Sequence, residues 1–313
     1  MRRCICVKCF FVLILHSHSK EMKTLVIIVS YNFERWIERC LGSLRESQHP
    51  IDTVVIDNCS HDSTVERIKR EYPEVRLIAN SENRGFGKAN NQGFEIALAE
   101  SYDAVFLMNQ DAWIKPDTIA RLAKECREHP EYGIISPVHL TGKGDRPDRG
   151  FSHYTGIKEC AQLPECALVN TNFVNAAFWF IPTSLLQSIG GFCPLFYHYG
   201  EDVDFANRLL FHGYKIGYCP QSFAHHDRDD RTGGYERFMR AEYIYHLAEC
   251  ANVRYSLLKA AAYGIAAVAK KSIAALPRRQ SIDYLRIMGK LLAKAPSVIK
   301  YRRINRKRSS HYL

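Results

Sequence analysis

Phe106-Leu107-Met108-Asn109-Gln110-Asp111 is an apolar run that stops abruptly at two amides and a carboxylate. Such a run reads as a buried strand of a parallel sheet, and in open α/β sheets ligands settle outside the carboxyl ends of those strands. Asp111 then stands on the rim, where a carboxylate can hold a hard divalent cation whose other ligands come from water and phosphate. The competing reading makes Asp111 the N-cap of a helix that starts near Pro116.

Upstream, the same unit recurs. Thr24 to Val29 is β-branched and ends at Ser30-Tyr31-Asn32, and Arg35 to Leu44 follows with Trp36, Ile37, Cys40, Leu41 and Leu44 at helical spacing. Thr53 to Ile56 ends at Asp57-Asn58-Cys59-Ser60, ahead of a helix over 63–71 capped by Asp62 or Ser63. Val75 to Ala79 and a helix over 87–98 then lead into the Ala104 to Met108 strand. Strands alternating with helices of this length predict right-handed crossovers and a mostly parallel sheet flanked by helices, an α/β fold. The polar strand ends converge on one rim.

Downstream the pattern changes. Residues 141–168, rich in Gly, Pro and charge, read as a long surface excursion of the kind that carries substrate contacts. Asn170 to Ile181 reads as one strand, followed by a short helix that stops at Gly190-Gly191. Gly200-Glu201-Asp202-Val203-Asp204 opens a helix to about His212, and three acids in four residues exceed what an N-cap requires. His225-His226 falls at a strand-to-loop junction after a strand over 215–219.

The composition, 46% apolar and 24% charged over 313 residues, is that of a globular enzyme-sized chain. Its net charge of +10 is not spread evenly. Fifteen of the 43 Lys and Arg lie between Ala251 and Leu313 against Asp283 alone, leaving 28 basic and 32 acidic residues in the body. Eleven irregularly spaced cysteines argue against a disulfide framework and for a reducing compartment.

In the first 21 residues, the apolar run Phe10 to Leu15 is too short to span a bilayer and lacks a small-residue cleavage site. Cys4, Cys6, Cys9, His16 and His18 do not form a compact zinc loop, because six apolar residues separate them. Met22-Lys23-Thr24 reads as a native start, so 1–21 is expected to be a non-native or disordered extension. A phosphate-binding P-loop is excluded: Thr141-Gly142-Lys143-Gly144 lacks its spacing and its preceding strand. Gly85-Phe86-Gly87-Lys88-Ala89-Asn90 lacks the last glycine of a dinucleotide fingerprint and follows the wrong strand.

The C-terminal region is predicted to be a helical, basic extension over 231–313. Ile282, Leu285, Met288, Leu292 and Ala295 recur at helical spacing among Arg286, Lys290 and Lys294, ahead of Arg302, Arg303, Arg306, Lys307 and Arg308. A basic amphipathic helix reads as peripheral membrane contact, or else as a helix packed on the body with a solvated basic end. Nucleic acid is excluded as a partner, since no aromatic interleaving or binding motif accompanies the charge.

Taken in order, five segments resemble the inverting family 2 glycosyltransferases, with their nucleotide-sugar-binding GT-A-like fold. They are Val29 to Asn32, Val55 to Ser63, Asn83 to Gly93, Asn109-Gln110-Asp111, and Gly190-Gly191-Phe192 leading to Gly200 to Asp204. The subgroup most resembled contains rhamnosyltransferases and galactofuranosyltransferases. The resemblance implies a catalytic domain over 22–230, with a nucleotide-binding half to 138 and an acceptor-binding half from 139.

It also implies roles. Asp202 matches the catalytic base. Tyr31, Asn32, Asp57, Arg84, Lys88, Asn109 and Gln110 match the nucleotide-sugar contacts, with Asp57 on the base or ribose. Asp111 matches the metal-binding acid, and His225, or less favourably His226, completes the site for Mg2+ or Mn2+. Glu201, Phe178 and Trp179 would face the acceptor or sugar. Asn109 replaces the first acid of the commoner D-x-D motif, which removes one charge from the metal site, and Cys193 stands where the family has Asp after Gly-Gly-Phe. The implied function is transfer from a UDP- or dTDP-sugar, rhamnose-like, to a glycan or lipid-linked hydroxyl, in the cytoplasm or at the inner face of the cell membrane. Two alternatives stand beside it: an inactive nucleotide-sugar-binding scaffold and a metal-dependent nucleotidyltransferase, though Val29 to Phe33 lacks the latter's glycine-rich basic loop.

Overall fold

The computed structural model describes residues 21–228, 234–276 and 281–313. The expectations for residues 1–20, the zinc grouping included, lie outside the described residues. Four strand-to-helix units open the chain: β1 (Thr24–Ser30) and α1 (Ile37–Arg45), β2 (Ile51–Asp57) and α2 (Thr64–Glu71), β3 (Arg76–Ala79) and α3 (Phe86–Ala99), then β4 (Ala104–Asn109), a short β5 (Ala112–Ile114) and α4 (Thr118–Glu128). β6 (Tyr132–Thr141), α5 (Arg149–Thr155), β7 (Val169–Thr171), β8 (Phe178–Pro182), α6 (Thr183–Ile189), α7 (Glu201–Phe211) and β9 (Lys215–His226) complete the body.

All these strands join one sheet, in the order β3-β2-β1-β4-β8-β6-β9-β5 with β7 on β9. β1 shows why it lies at the centre. Leu25 and Ile27 feed the apolar cluster on one face, while Val26 and Ile28 feed the cluster on the other, as a strand's period of two requires when helices cover both sides. The parallel part comprises β3-β2-β1-β4 and the β6 to β9 pair, with β8 antiparallel between β4 and β6. The single strand expected over 170–181 is therefore two. Chain 172–177 loops between them, and the Trp179 indole donates back to the Val174 carbonyl at 3.0 Å. The excursion over 141–168 is partly ordered, since Asp148 N-caps α5 by accepting from Phe151 N and Phe151 is fully buried. Asp117, not Asp111, is the N-cap residue of α4.

The C-terminal region is α8 (Tyr235–Ala251), α9 (Leu257–Ala261), a π-helical turn (Ala262–Ala266), α10 (Ala267–Ala274) and α11 (Ser281–Asn305). These helices pack on the body through a third apolar cluster that joins Leu247, Val268 and Leu291 to Leu195 and Phe196. Of the apolar stripe read from the sequence, Met288 packs against this cluster and three other members do not. Tyr284, Ile287, Leu291 and Val298 are buried, whereas Ile282, Leu285 and Leu292 remain exposed.

Arg302, read as part of a solvated basic end, is buried. Its guanidinium donates to the carbonyls of Cys250, Asn252 and Tyr255 and so closes the end of α8. Arg302→Ala strands three buried carbonyls and is expected to lower unfolding stability by about 3 kcal/mol, measured as a fall in urea midpoint against an Arg303→Ala control.

Candidate active site

A buried ion pair positions the acids of α7. Asp204 Oδ2 accepts from Arg208 Nε at 3.0 Å, and the other guanidinium nitrogens donate to the Ile189 and Gly191 carbonyls at 2.6 Å each. Asp204 is thereby structural, and the helix's first turn presents Glu201 and Asp202 to a cleft instead. Gly85, at φ 79°, enters that cleft so closely that a Cβ would collide with the Tyr197 carbonyl. A side chain there is excluded by both conformation and space.

The cleft consists of two adjoining cavities. The first, of about 520 Å3, lies along the carboxyl ends of β1 and β4 and is lined by Tyr31, Asn58, Asn109, Gln110 and Asp111 among others. The second, of about 290 Å3, is lined by Tyr154, Ala176, Glu201 and Asp202. Phe86, Asn109, His198 and Arg228 line both, so Asp111 and Asp202 stand on opposite parts of one continuous cleft.

The first cavity is held together by polar pairs. Gln110 Oε1 accepts from Tyr31 N at 2.7 Å while its amide nitrogen donates to Tyr31 O at 3.1 Å, locking the β1 loop to the β4 end. Asn32, at φ 52°, accepts from His61 N at 3.0 Å and also shapes the loop. Asp57, matched by resemblance to a nucleotide contact, lies beneath the turn that follows β2. Its carboxylate accepts from Ser30 Oγ at 2.8 Å, Ser60 N at 2.9 Å and Ser60 Oγ at 2.5 Å, and it is 1% exposed, so it builds the turn from beneath. Asn58 lines the cavity in its place. Arg84 and Lys88 are exposed and outside the lining set.

At the far end of the first cavity, Asp111 Oδ1 lies 3.2 Å from His226 Nε2, with the Asn109 amide 3.3 Å from the same nitrogen. One carboxylate oxygen, one imidazole nitrogen and a neighbouring amide form a donor set that fits Mn2+ or Mg2+. His225, the residue favoured from sequence, is excluded by strand alternation: both histidines lie within β9, and His225 points away to stack on Trp113 at 5.4 Å. Behind His226, Asp148 and His139 lie close enough to form a compact buried cluster with it. The Arg228 Nε lies 2.9 Å from His226 Nδ1 and 3.1 Å from Nε2, so the guanidinium runs along the edge of the ring. Burial lowers the His226 pKa, with Asp111 opposing.

Phe178 and Trp179, expected to face acceptor or sugar, lie in β8 at the centre of the sheet and are fully buried. Insertion of β8 between β4 and β6 makes them core. Arg228, His198 and Asn58 were missed, although Arg228 had one signal: it follows His226 by two positions and thus keeps to the same side.

In the second cavity, Glu201 is 4% exposed with Oε2 unpartnered, and burial, then Asp202, pushes its carboxyl up to about 8. Asp202 lies deep in the cleft yet keeps part of its surface open. Burial raises its pKa, against hydrogen bonds from Val203 N and Ala176 N. The two carboxyls cannot both ionise readily, so near neutrality they share protons.

Comparison with known proteins follows from this geometry. The mannosyltransferase PcManGT of Pyrobaculum calidifontis, solved with GDP-Man and Mn2+, superposes with a TM-score of 0.58 at 20% identity, covering 89% of this chain and 88% of that one. S. aureus TarS residues 1–349, solved with UDP-GlcNAc, gives 0.58 at 15% identity, covering 91% and 90%. The fold is therefore that of the GT-A-like glycosyltransferases. A family model described as glycosyl transferase family 2 matches residues 25–189, and the chain belongs to that family as a glycosyltransferase. An N-acetylglucosaminyl-diphospho-decaprenol L-rhamnosyltransferase of Mycobacterium tuberculosis is 24% identical over 246 residues, 66% of this chain and 77% of that protein. The O-antigen chain rhamnosyltransferase WbaN of Salmonella anatum is 25% identical over 212 residues, 65% of this chain and 66% of that protein. The nucleotidyltransferase alternative falls with this membership.

The Glu201 proton has a consequence for stability. Between about pH 4.5 and about pH 8 the folded chain keeps a proton on Glu201 that the unfolded chain releases, so stability declines as pH rises through that window. Glu201→Gln is expected to flatten the decline by up to about 1.4 kcal/mol per pH unit. Urea unfolding at several pH values checks this; an unchanged slope contradicts it.

Proposed function

We propose that the chain transfers a sugar, with inversion, from a UDP- or dTDP-sugar to a hydroxyl of a lipid-linked or growing glycan in cell-surface polysaccharide synthesis, with a rhamnose-like donor favoured. The observation that carries this is the shared cleft with Asp111 at one end and Asp202 at the other. The rhamnosyltransferase relatives support the donor class.

In this reading the nucleotide lies along Tyr31, Asn58 and Gln110. Asp111, His226 and Asn109 would hold a divalent cation, which would supply Lewis-acid neutralisation of the charge on the diphosphate. Arg228 adds a fixed positive charge on the same side, where a guanidinium pairs well with phosphate oxygens. Asp202 accepts the acceptor's proton as its oxygen bonds to the anomeric carbon. The bond to the diphosphate breaks with its electron pair leaving on the nucleoside diphosphate. The raised pKa of Asp202 makes it a stronger base than an ordinary aspartate, and protonated Glu201 beside it adds no competing charge.

Contact with the inner face of the cell membrane belongs to the same reading. No helix among the described residues is long and apolar enough to cross a membrane. Ile282, Leu285 and Leu292 nevertheless stay exposed on α11 among Arg286, Lys290 and Lys294, a pattern suited to an anionic surface.

The reading is tested by incubating the protein with a panel of nucleotide sugars and Mn2+ and measuring released nucleoside diphosphate. Asp202→Asn is expected to retain donor binding while turnover falls on the order of 10²–10⁴-fold. Asp111→Ala and His226→Ala should weaken metal-dependent donor binding by roughly tenfold or more, whereas His225→Ala leaves it nearly unchanged. Equal donor affinity with and without metal in the unaltered protein contradicts the role of Asp111. Full donor binding without any turnover would favour the scaffold alternative.

A further inference from the structure

Asp148 is a buried carboxylate that the proposed reaction leaves without a task. Its Oδ1 caps α5 by accepting from Phe151 N at 2.6 Å, and its backbone N donates to the His139 carbonyl at 2.8 Å. Residues 141–148 leave β6, turn, and return against the same strand, where Pro147 bridges to Leu140. The side chain is therefore held in place from two directions. Its other oxygen, Oδ2, has no hydrogen-bond partner among the described residues, although Asp148 is only 4% exposed. A buried acceptor left unpaired is costly, so a donor that reaches Oδ2 is favoured.

The atom that Oδ2 faces is His226 Nδ1, 3.6 Å away. Asp111 Oδ1 lies 3.2 Å from Nε2, so one imidazole stands between two carboxylates. A neutral imidazole carries one proton and ligates a cation through the nitrogen that lacks it. Whichever carboxylate takes that proton decides whether Nε2 offers a cation a lone pair or a hydrogen. His139 is engaged elsewhere, its Nε2 lying 2.8 Å from Ser136 Oγ. Arg228 Nε, 3.7 Å from Oδ2, sets a positive charge beside Asp148 that offsets the cost of burying a carboxylate.

We infer that Asp148 is a positioning residue for the cation site: it holds the ring proton of His226 on Nδ1 and so keeps Nε2 bare toward Asp111. The 3.6 Å separation is about half an ångström beyond hydrogen-bond length, which a small rotation of the ring closes. Partners of this kind orient a ligating imidazole and raise its basicity without touching the metal. The inference rests on the cation site proposed at Asp111 and His226. It adds a residue that lies outside all five segments of family resemblance.

Two substitutions separate this role from helix capping. In Asp148→Asn the amide oxygen still caps α5, but the amide nitrogen faces Nδ1 as a donor and drives the ring proton to Nε2. In Asp148→Ser the hydroxyl keeps the cap and leaves Nδ1 without its acceptor. Mn2+ binding to the full chain is read from the loss of the free-ion EPR signal, and both variants are expected to bind roughly 10–100-fold more weakly. Turnover should recover when Mn2+ is raised in proportion, which damage to the fold would not allow. Unchanged Mn2+ affinity in both variants, with a loss in His226→Ala, overturns the inference. Unchanged affinity in His226→Ala overturns the cation site itself, so the two failures are distinguishable. A second Mn2+ lost in both Asp148 variants would make Asp148 a ligand and also overturns the positioning role. Histidine 15N spectra of the unaltered chain with Mg2+ need no variant that folds: the His226 proton is expected on Nδ1, and a proton on Nε2 contradicts the assignment.

Discussion

The buried pair of Asp204 and Arg208 is the constraint on which the site depends. With both side chains about 2% exposed or less, neither charge is stable alone, and removing one partner of such a pair is far costlier than its surface equivalent. The pair fixes the helix that carries Glu201 and Asp202 and ties it to the Gly190-Gly191 loop through two carbonyls. Asn305 donates to Asp204 Oδ1 at 3.3 Å, so the far end of α11 is held by the same carboxylate. Gly190, at φ 76°, and Gly191 leave room for the backbone of His311 and the side chain of Leu313. The C-terminal helices are thus part of the scaffold that fixes the helix carrying Asp202.

Around that scaffold the polar residues divide into two layers. Gln110 and Asn32 spend their hydrogen bonds on loop backbone, and Asp57 on two serine hydroxyls and one backbone amide, and so shape the first cavity. Asp111, Asn109 and Arg228 line the cleft, and His226 lies buried against Asp111. Glu201 is almost fully enclosed and Asp202 less so, and burial is the first cause that raises the pKa of each of these adjacent carboxyls. In the proposed function, that division gives one cleft its cation-binding groups at one end and its proton acceptor at the other.

Much of this was legible in the sequence. Apolar runs ending at Tyr31, Asp57 and Asp111 marked three strands and their shared rim, because strand period and turn chemistry are local. Long-range pairing was not legible. Whether His225 or His226 faces Asp111 depends on the register of β9, and a shift of one residue inverts the answer. Phe178 and Trp179 resembled ligand contacts because nothing local reveals that β8 lies between two other strands. Asp148 was hidden in a stretch that read as surface, and Arg302 in a stretch that read as charge; both are buried by segments distant in sequence. Asp57 sits where the resemblance implied, but Ser30 and Ser60 turn its carboxylate inward.

The central claim is that one sugar touches both ends of the cleft. A crystal structure with Mn2+ and a non-transferable nucleotide sugar tests it most directly. The account predicts the cation on Asp111 and His226, with the Asp202 carboxylate about 3–4 Å from where the acceptor oxygen meets the anomeric carbon, on the face opposite the diphosphate. A sugar whose anomeric carbon lies on the diphosphate side beyond reach of Asp202, or a cation bound away from Asp111, would contradict it.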